Sequence, residues 1–136
     1  MIGKPNRPNF HTLTPYIMVV DVEPVIEFLQ HAFEATITFR TVGERGGYHV
    51  EMQIGNAMIM IGGGNNTVEE PITGAFFLYV DDVDAVYDSA IDAGATAMMP
   101  PEEGRFGEER GAGLTDPFGN MWFIGKYGPK SEHYES

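Results

Sequence analysis

His49 and Glu51 stand two apart in a stretch, Tyr48 to Ile54, that alternates apolar and polar side chains. Alternate residues of a strand share one face, so this imidazole and carboxylate can address one point. Such a pair can shuttle a proton, hold a polar group of a ligand, or supply two donors to a cation. Gln53 continues the same polar row. A third metal donor is hard to name: His31 falls in a helical stretch, His11 in the N-terminal arm and His133 in the tail. The chain has no cysteine, which excludes thiolate metal sites, disulfides and thiol nucleophiles. Its serines are Ser89, Ser131 and Ser136, one in a helical stretch and two in the tail, and they make no nucleophilic triad with His and Asp.

A second chemical feature is the charged, glycine-containing segment from Glu102 to Gly111, with Arg105, Phe106 and Arg110. Segments of this kind serve as lids or binding loops. Arg110 is the residue expected to meet an anionic group of a ligand. The run Gly62-Gly63-Gly64-Asn65-Asn66 lacks the Lys and Ser/Thr of a phosphate loop, and no helical pattern follows it, so it reads as linker. The pairs Asp81-Asp82 and Glu69-Glu70 read as a helix cap and a solvated linker.

The elements that position these groups occur twice. Val20-Asp21 opens a helical stretch closing at Ala35-Thr36, and Val80-Asp81 opens another closing at Ala95-Thr96. Ile54-Gly55-Asn56 is echoed by Phe118-Gly119-Asn120, each followed by an apolar run. Two copies of this length make a duplicated module rather than a solenoid. In the first copy a strand from Tyr16 leads to the cap Asp21 and a helix with Val22, Val25, Ile26, Leu29 and Phe33 at helical spacing. Strands over Thr36–Val42, Tyr48–Ile54 and Ala57–Ile61 follow, the last two joined by a Gly55-Asn56 hairpin turn. In the second, Ala75–Val80 is a strand, Asp81 or Asp82 caps a helix, and Gly94 ends it. A short strand Ala95–Met99 is stopped by Pro100-Pro101, and strands Ala112–Thr115 and Met121–Gly125 flank the turn Asp116–Asn120. Each half therefore reads β-α-β-β-β. A single domain of 136 residues is expected, with module one at 14–62, linker 63–73, module two at 74–127 and a flexible tail at 128–136.

The apolar fraction of 43% suffices for a core, and 20 acids against 8 bases give a net charge of −12. This balance opposes nucleic acid and anionic membranes and suits a cationic small molecule. No window spans a bilayer and the N-terminus lacks a signal pattern, so a cytoplasmic location is expected.

A doubled β-α-β-β-β unit of this length resembles the glyoxalase/bleomycin-resistance superfamily, the vicinal oxygen chelate proteins. The resemblance covers about residues 13–127 and rests on Tyr16–Phe33, on Phe77–Val83 with its helix ending Ala93-Gly94-Ala95, and on Asp116-Pro117-Phe118-Gly119-Asn120. Pro15-Tyr16 and the Asp116-to-Trp122 phrase are most similar to its PhnB-like branch, whose members usually carry Gly-Asp-Arg where this chain has Gly107-Glu108-Glu109-Arg110, one residue longer. The resemblance implies an α+β fold: curved, mostly antiparallel sheets around a cleft, helices on the convex faces, and often a homodimer. Enzymes of the family hold a divalent metal through His, Gln or Glu. Here those positions fall at Thr14 or Pro15, Ile59, Ala75 and Phe123. A slip by one residue brings Phe76, Trp122 or Ile124, and Met58 or Met60, again without a ligand.

Parity then assigns the cleft. Ala75 carries Phe77 and Tyr79 with it, Phe123 carries Met121, and Ile59 carries Ala57 and Ile61. Val50, Met52 and Ile54 go under the helix, leaving His49, Glu51 and Gln53 to face the ligand. Phe106 and Arg110 reach over the mouth. The expected function is a metal-independent, cofactor-free protein that sequesters a small organic molecule in an aromatic cleft. The alternative is a metal-dependent lyase, isomerase or dioxygenase of the glyoxalase type using His49 and Glu51.

Overall fold

Two aspartates start the two helices. The Asp21 carboxylate accepts from the Glu23 amide at 3.3 Å, and Asp82 from the Ala85 amide at 3.1 Å, supplying partners to amides that the helix itself leaves open. These caps open α1 (Val22–Phe33) and α2 (Val83–Asp92) in a computed structural model that describes residues 6–135. Around α1 the first unit places β1 (Tyr16–Val19), β2 (Thr36–Val42), β3 (Tyr48–Ile54) and β4 (Ala57–Gly63). Around α2 the second places β5 (Ala75–Tyr79), β6 (Thr96–Glu103), β7 (Arg110–Thr115) and β8 (Met121–Lys126), with a 3-10 turn at Arg105–Gly107. The units divide between Thr73 and Gly74.

The architecture is α+β, two tandem β-α-β-β-β modules. Each sheet has four strands, in the orders β1-β4-β3-β2 and β5-β8-β7-β6. The outer pairs β1/β4 and β5/β8 are parallel, and the remaining pairs are antiparallel. In unit one, Val22, Val25, Ile26 and Leu29 of α1 are buried, as are Ile17, Val50, Met52, Ile59 and Ile61 of the sheet on which α1 packs. In unit two, Val83 and Ala90 of α2 pack with Ala112, Leu114, Trp122 and Ile124. Burying such side chains contributes about 1.5–3 kcal/mol each.

The turn before β8 is held by one carboxylate. Asp116 accepts from the Phe118 amide (2.8 Å), the Asn120 amide (2.9 Å), Asn120 Nδ2 (3.0 Å) and Trp122 Nε1 (2.9 Å). Asn120 Oδ1 in turn accepts from the Gly74 amide at 3.0 Å, tying the turn to the start of β5. The Asp-Pro-Phe-Gly-Asn phrase is thus a structural clamp that fixes the register of β8.

Three expectations are corrected. β6 does not stop before Pro100-Pro101 but runs through them to Glu103. It is an edge strand, where a missing N–H costs least, and its register with β7 shifts between Met99 and Glu102. The tail is tied down rather than loose: the Glu132 amide bonds to the Gly107 carbonyl at 2.8 Å and the Glu135 amide to Tyr127 Oη at 2.7 Å. Ile59 lies under α1, not on the opposite face. The two-residue turn sets Ile54 opposite Ala57 and therefore Met52 opposite Ile59, and directly paired residues share a face. Among the described residues, no helix is long and apolar enough to cross a membrane.

Candidate functional site

Each sheet has one face under its helix and one face turned away from it. On the latter, the unit-one sheet carries the polar row of β3. Glu51 sits in the middle of that row, only 1% exposed. A buried carboxylate needs partners, and two cationic or polar side chains meet it. Arg7 closes on it as a fork, Nη1 donating to Oε2 at 2.7 Å and Nη2 donating to Oε1. His49 Nε2 lies 2.9 Å from Oε2. The Arg7 hydrogen bonds hold the Glu51 carboxyl below the usual carboxylate range, against burial, with His49 adding in the same direction; Glu51 raises the Arg7 guanidinium in return.

The arm that carries Arg7 is built to present it. Phe10 is buried, its amide bonds to the Arg7 carbonyl at 3.0 Å, and the guanidinium lies 4.4 Å above the Phe10 ring. Across the sheet, His49 pairs with Gly62, and Tyr16 Oη fills the space beside that glycine: a Cβ there would lie 2.7 Å from the hydroxyl. Tyr16 Oη is 3.3 Å from His49 Nδ1. A ring that donates from Nε2 to Glu51 can accept at Nδ1 from Tyr16, so Glu51, His49 and Tyr16 form a chain along which a proton can pass. Gln53 turns its amide to the Gly55 carbonyl at 3.0 Å, away from this cluster.

The corresponding face of unit two is aromatic. β7 brings Gly111 and Gly113 there, and β8 brings Gly125 and Phe123, with Gly111 opposite Gly125 and Gly113 opposite Phe123. Onto this glycine floor lie rings from three segments. Phe106 meets Phe77 edge-on at 5.7 Å and Phe123 at 5.5 Å, and Phe77 meets Tyr79 at 4.9 Å. The fit leaves no room for side chains below: a Cβ would lie 2.8 Å from the Phe106 ring at Gly111 and 2.7 Å from the Phe77 ring at Gly125. Phe106 holds φ 63, a left-handed conformation uncommon outside glycine and costing about 1–3 kcal/mol. Phe77 and Tyr79 remain 40% and 63% exposed, and Met121 and Phe123 are half-buried on the same face.

Tyr79 is oriented from behind. Its hydroxyl donates to Glu108 Oε2 at 2.8 Å, and Ser131 Oγ donates to Glu108 Oε1 at 2.8 Å, with His133 Nε2 at 3.3 Å. Burial pushes the Glu108 carboxyl up, but the hydrogen bonds from Ser131 and Tyr79 and the neighbouring His133 outweigh it and leave it below its ordinary value. The hydrogen bond to Glu108 raises the Tyr79 hydroxyl. Glu108, Ser131, His133 and Arg7 escape a sequence reading, because they lie in segments with no periodicity to assign a face.

Arg110 is corrected. It shares the helix-side parity of Ala112 and Leu114, and its guanidinium is engaged by Asp84 of α2, Nε to Oδ2 at 2.6 Å and Nη2 to Oδ1 at 2.9 Å. It does not face the aromatic floor, and its Nε and Nη2 are taken up by Asp84. Among the described residues, no three His, Asp or Glu side chains form a group that could hold a metal ion.

Comparison with known proteins agrees with this fold. A family model described as the Glyoxalase/Bleomycin resistance protein/Dioxygenase superfamily matches residues 10–124. An uncharacterized protein of Mycobacterium bovis is 30% identical over 125 residues, covering 84% of this chain and 82% of that one. Among solved structures, the fosfomycin resistance protein FosX from Mesorhizobium loti superposes with a TM-score of 0.60 at 20% identity, over 83% of this chain and 88% of that one. TioX from Micromonospora sp. ML1 gives 0.64 at 17% identity, over 85% and 95%. At these identities the two structures speak for the fold alone.

Proposed function

The chain belongs to the Glyoxalase/Bleomycin resistance protein/Dioxygenase superfamily, and from that premise we propose that it binds a small organic molecule without a metal. The ligand lies against the aromatic face of unit two. The observation that carries this reading is the group Phe77, Tyr79, Phe106 and Phe123, held over a glycine floor with Phe77 and Tyr79 open to solvent. Ligand sites are commonly apolar surfaces with a few placed polar groups, and exposed aromatic clusters mark them. The net charge of −12 favours a cationic aromatic ligand.

The donor chemistry supports the metal-free form. The family's ligand positions hold side chains such as Ala75 and Phe123, and both Glu51 oxygens already accept from a guanidinium. The second reading, a metal-dependent lyase, isomerase or dioxygenase, draws on the 2.9 Å His49–Glu51 pair. Elemental analysis separates the two after incubation of untagged protein with zinc, nickel, manganese or iron(II) and desalting. A stoichiometric ion that is lost on changing His49 and Glu51 to Ala overturns the metal-free reading. With no ion bound, titration with the planar aromatic cation acriflavine should show binding that Phe77→Ala and Phe123→Ala weaken.

The PhnB-like branch, a cytoplasmic location and a homodimer complete the proposal. The dimer is supported by β2, an edge strand whose seven residues are all exposed, Ile37, Phe39 and Val42 among them. Sheet edges of this kind are normally paired or covered. Light scattering that gives a monomer at high micromolar concentration removes it.

A further inference from the structure

We infer that Glu51 is the recognition carboxylate of a site for a planar, fork-shaped cation, a guanidinium or amidinium, and that Arg7 is its internal occupant. The inference rests on the small-molecule reading above for the size of the ligand, but its site is on unit one. Four arginine–carboxylate pairs can be compared. In Arg40–Glu23, Arg105–Glu102 and Arg110–Asp84 the acid is 56%, 66% and 53% exposed, as in ordinary surface pairs. In Arg7–Glu51 the exposure is reversed: the acid is 1% exposed and the arginine 56%. The anion belongs to the sheet, and the cation is laid over it from outside.

The surroundings suit such a guest. The flanking groups are planar or small: the Phe10 ring stacked on the guanidinium, the His49 ring beside one carboxylate oxygen, and Tyr16 next to His49 at 5.7 Å between ring centroids. Glu51 stays ionised because of its hydrogen bonds, and an isolated buried carboxylate is too costly to leave bare. The folded chain therefore favours keeping a cation on this carboxylate. Exchange of one fork-shaped cation for another conserves charge and hydrogen bonds, and the added costs are swinging Arg7 off the Phe10 ring and immobilising the ligand. An internal occupant on a short tether competes at an effective concentration on the order of millimolar. Apparent affinity for a free ligand falls by the fraction of open sites.

The test uses the full chain, with benzamidine hydrochloride as probe and neutral benzamide as its isostere, read by calorimetry. Arg7→Ala should bind benzamidinium about ten-fold or more tighter than the unaltered chain. Benzamide should not bind, and Arg7→Ala/Glu51→Gln should lose the gain. Equal affinity in Arg7→Ala and the unaltered chain, or binding retained in the double variant, overturns the inference. If Arg7→Ala does not fold, Arg7→Lys keeps a charge but frees one carboxylate oxygen. It should show a smaller gain, and no gain overturns the inference equally. Acriflavine binding that depends on Phe77, with no gain in Arg7→Ala, sinks this inference and leaves the proposed function standing. Glu51-dependent benzamidinium binding, with acriflavine indifferent to Phe77 and Phe123, does the reverse.

Discussion

Gly125→Ala should separate binding from stability. The new methyl carbon would lie 2.7 Å and 2.9 Å from Cζ and Cε1 of Phe77 and 3.3 Å from Cγ of Glu108. Carbon pairs rest at about 3.5–4.0 Å, so the ring must move by roughly 1 Å. Phe77 is 40% exposed and can swing outward without straining the core. Gly125 lies in β8 without a positive φ, so alanine is compatible with its backbone and recovers about 0.5–1 kcal/mol of strand stability. The net change in folding free energy should stay within about 1 kcal/mol, or roughly 3–5 °C in Tm for a chain of this size. Displacing one ring from a stacked ligand should cost about 0.5–1.5 kcal/mol, a loss of about 2- to 12-fold in affinity. Acriflavine titration with parallel thermal melts measures both quantities. Unaltered affinity with an unaltered melt would show that Phe77 forms no wall of the site. A melt lowered by about 10 °C or more would show that the ring is locked, and that its exposure misleads.

Asp116→Ala should leave Trp122 Nε1, the Asn120 amide and its side chain without their acceptor, costing about 3–5 kcal/mol and lowering Tm by about 10–20 °C; a drop under 5 °C refutes the clamp. Glu51 is depressed in the folded state, so its stabilisation is full above the ordinary carboxylate pKa and is lost as pH falls through its lower folded value. Melting temperatures from pH 7 to 2 should therefore fall less steeply for Glu51→Gln than for the unaltered chain, and parallel curves would contradict the depressed value. Glu108 is shifted the same way and keeps part of the slope, so Glu51→Gln/Glu108→Gln should be flatter still. Arg110→Ala breaks an exposed pair, so both Tm and acriflavine affinity should barely change, and a loss of affinity would return Arg110 to the site.

The elements were legible where periodicity is long. α1 and α2 carry their aspartate caps and apolar stripes openly, and β3 alternates cleanly enough to put His49, Glu51 and Gln53 on one face. The errors have local causes. The Gly-Asn echo equates Ala57 with Met121, yet the two turns differ: two residues separate Ile54 from Ala57, whereas five separate Thr115 from Met121. In the sheets Met121 therefore occupies the row of Met58, and Phe123 that of Met60, which displaces Ile59 by one residue and so onto the other face. Pro100-Pro101 reads as a stop because sequence does not tell an edge strand from a central one. Arg110 follows the parity of β7, which cannot be counted until the start of that strand is known.

The rows explain how a duplicated module acquires two chemistries. Across unit one the row runs Glu51, Met60, Tyr16, and the next runs His49, Gly62, Met18. The matching rows of unit two run Gly113, Phe123, Phe77 and Gly111, Gly125, Tyr79. One row position thus holds a carboxylate in the first copy and a glycine in the second. A carboxylate there needs a cation, and an arm that no pattern in the sequence assigns to the sheet delivers Arg7. A glycine there leaves a shallow floor, and rings from β5, β8 and the 3-10 turn settle on it, one of them at the cost of a left-handed Phe106. Cation recognition and aromatic contact therefore fall to different copies of one fold. Phe77→Ala should therefore leave benzamidinium binding by Arg7→Ala unaltered, and Glu51→Gln should leave acriflavine binding unaltered; a cross-effect in either direction would contradict this division.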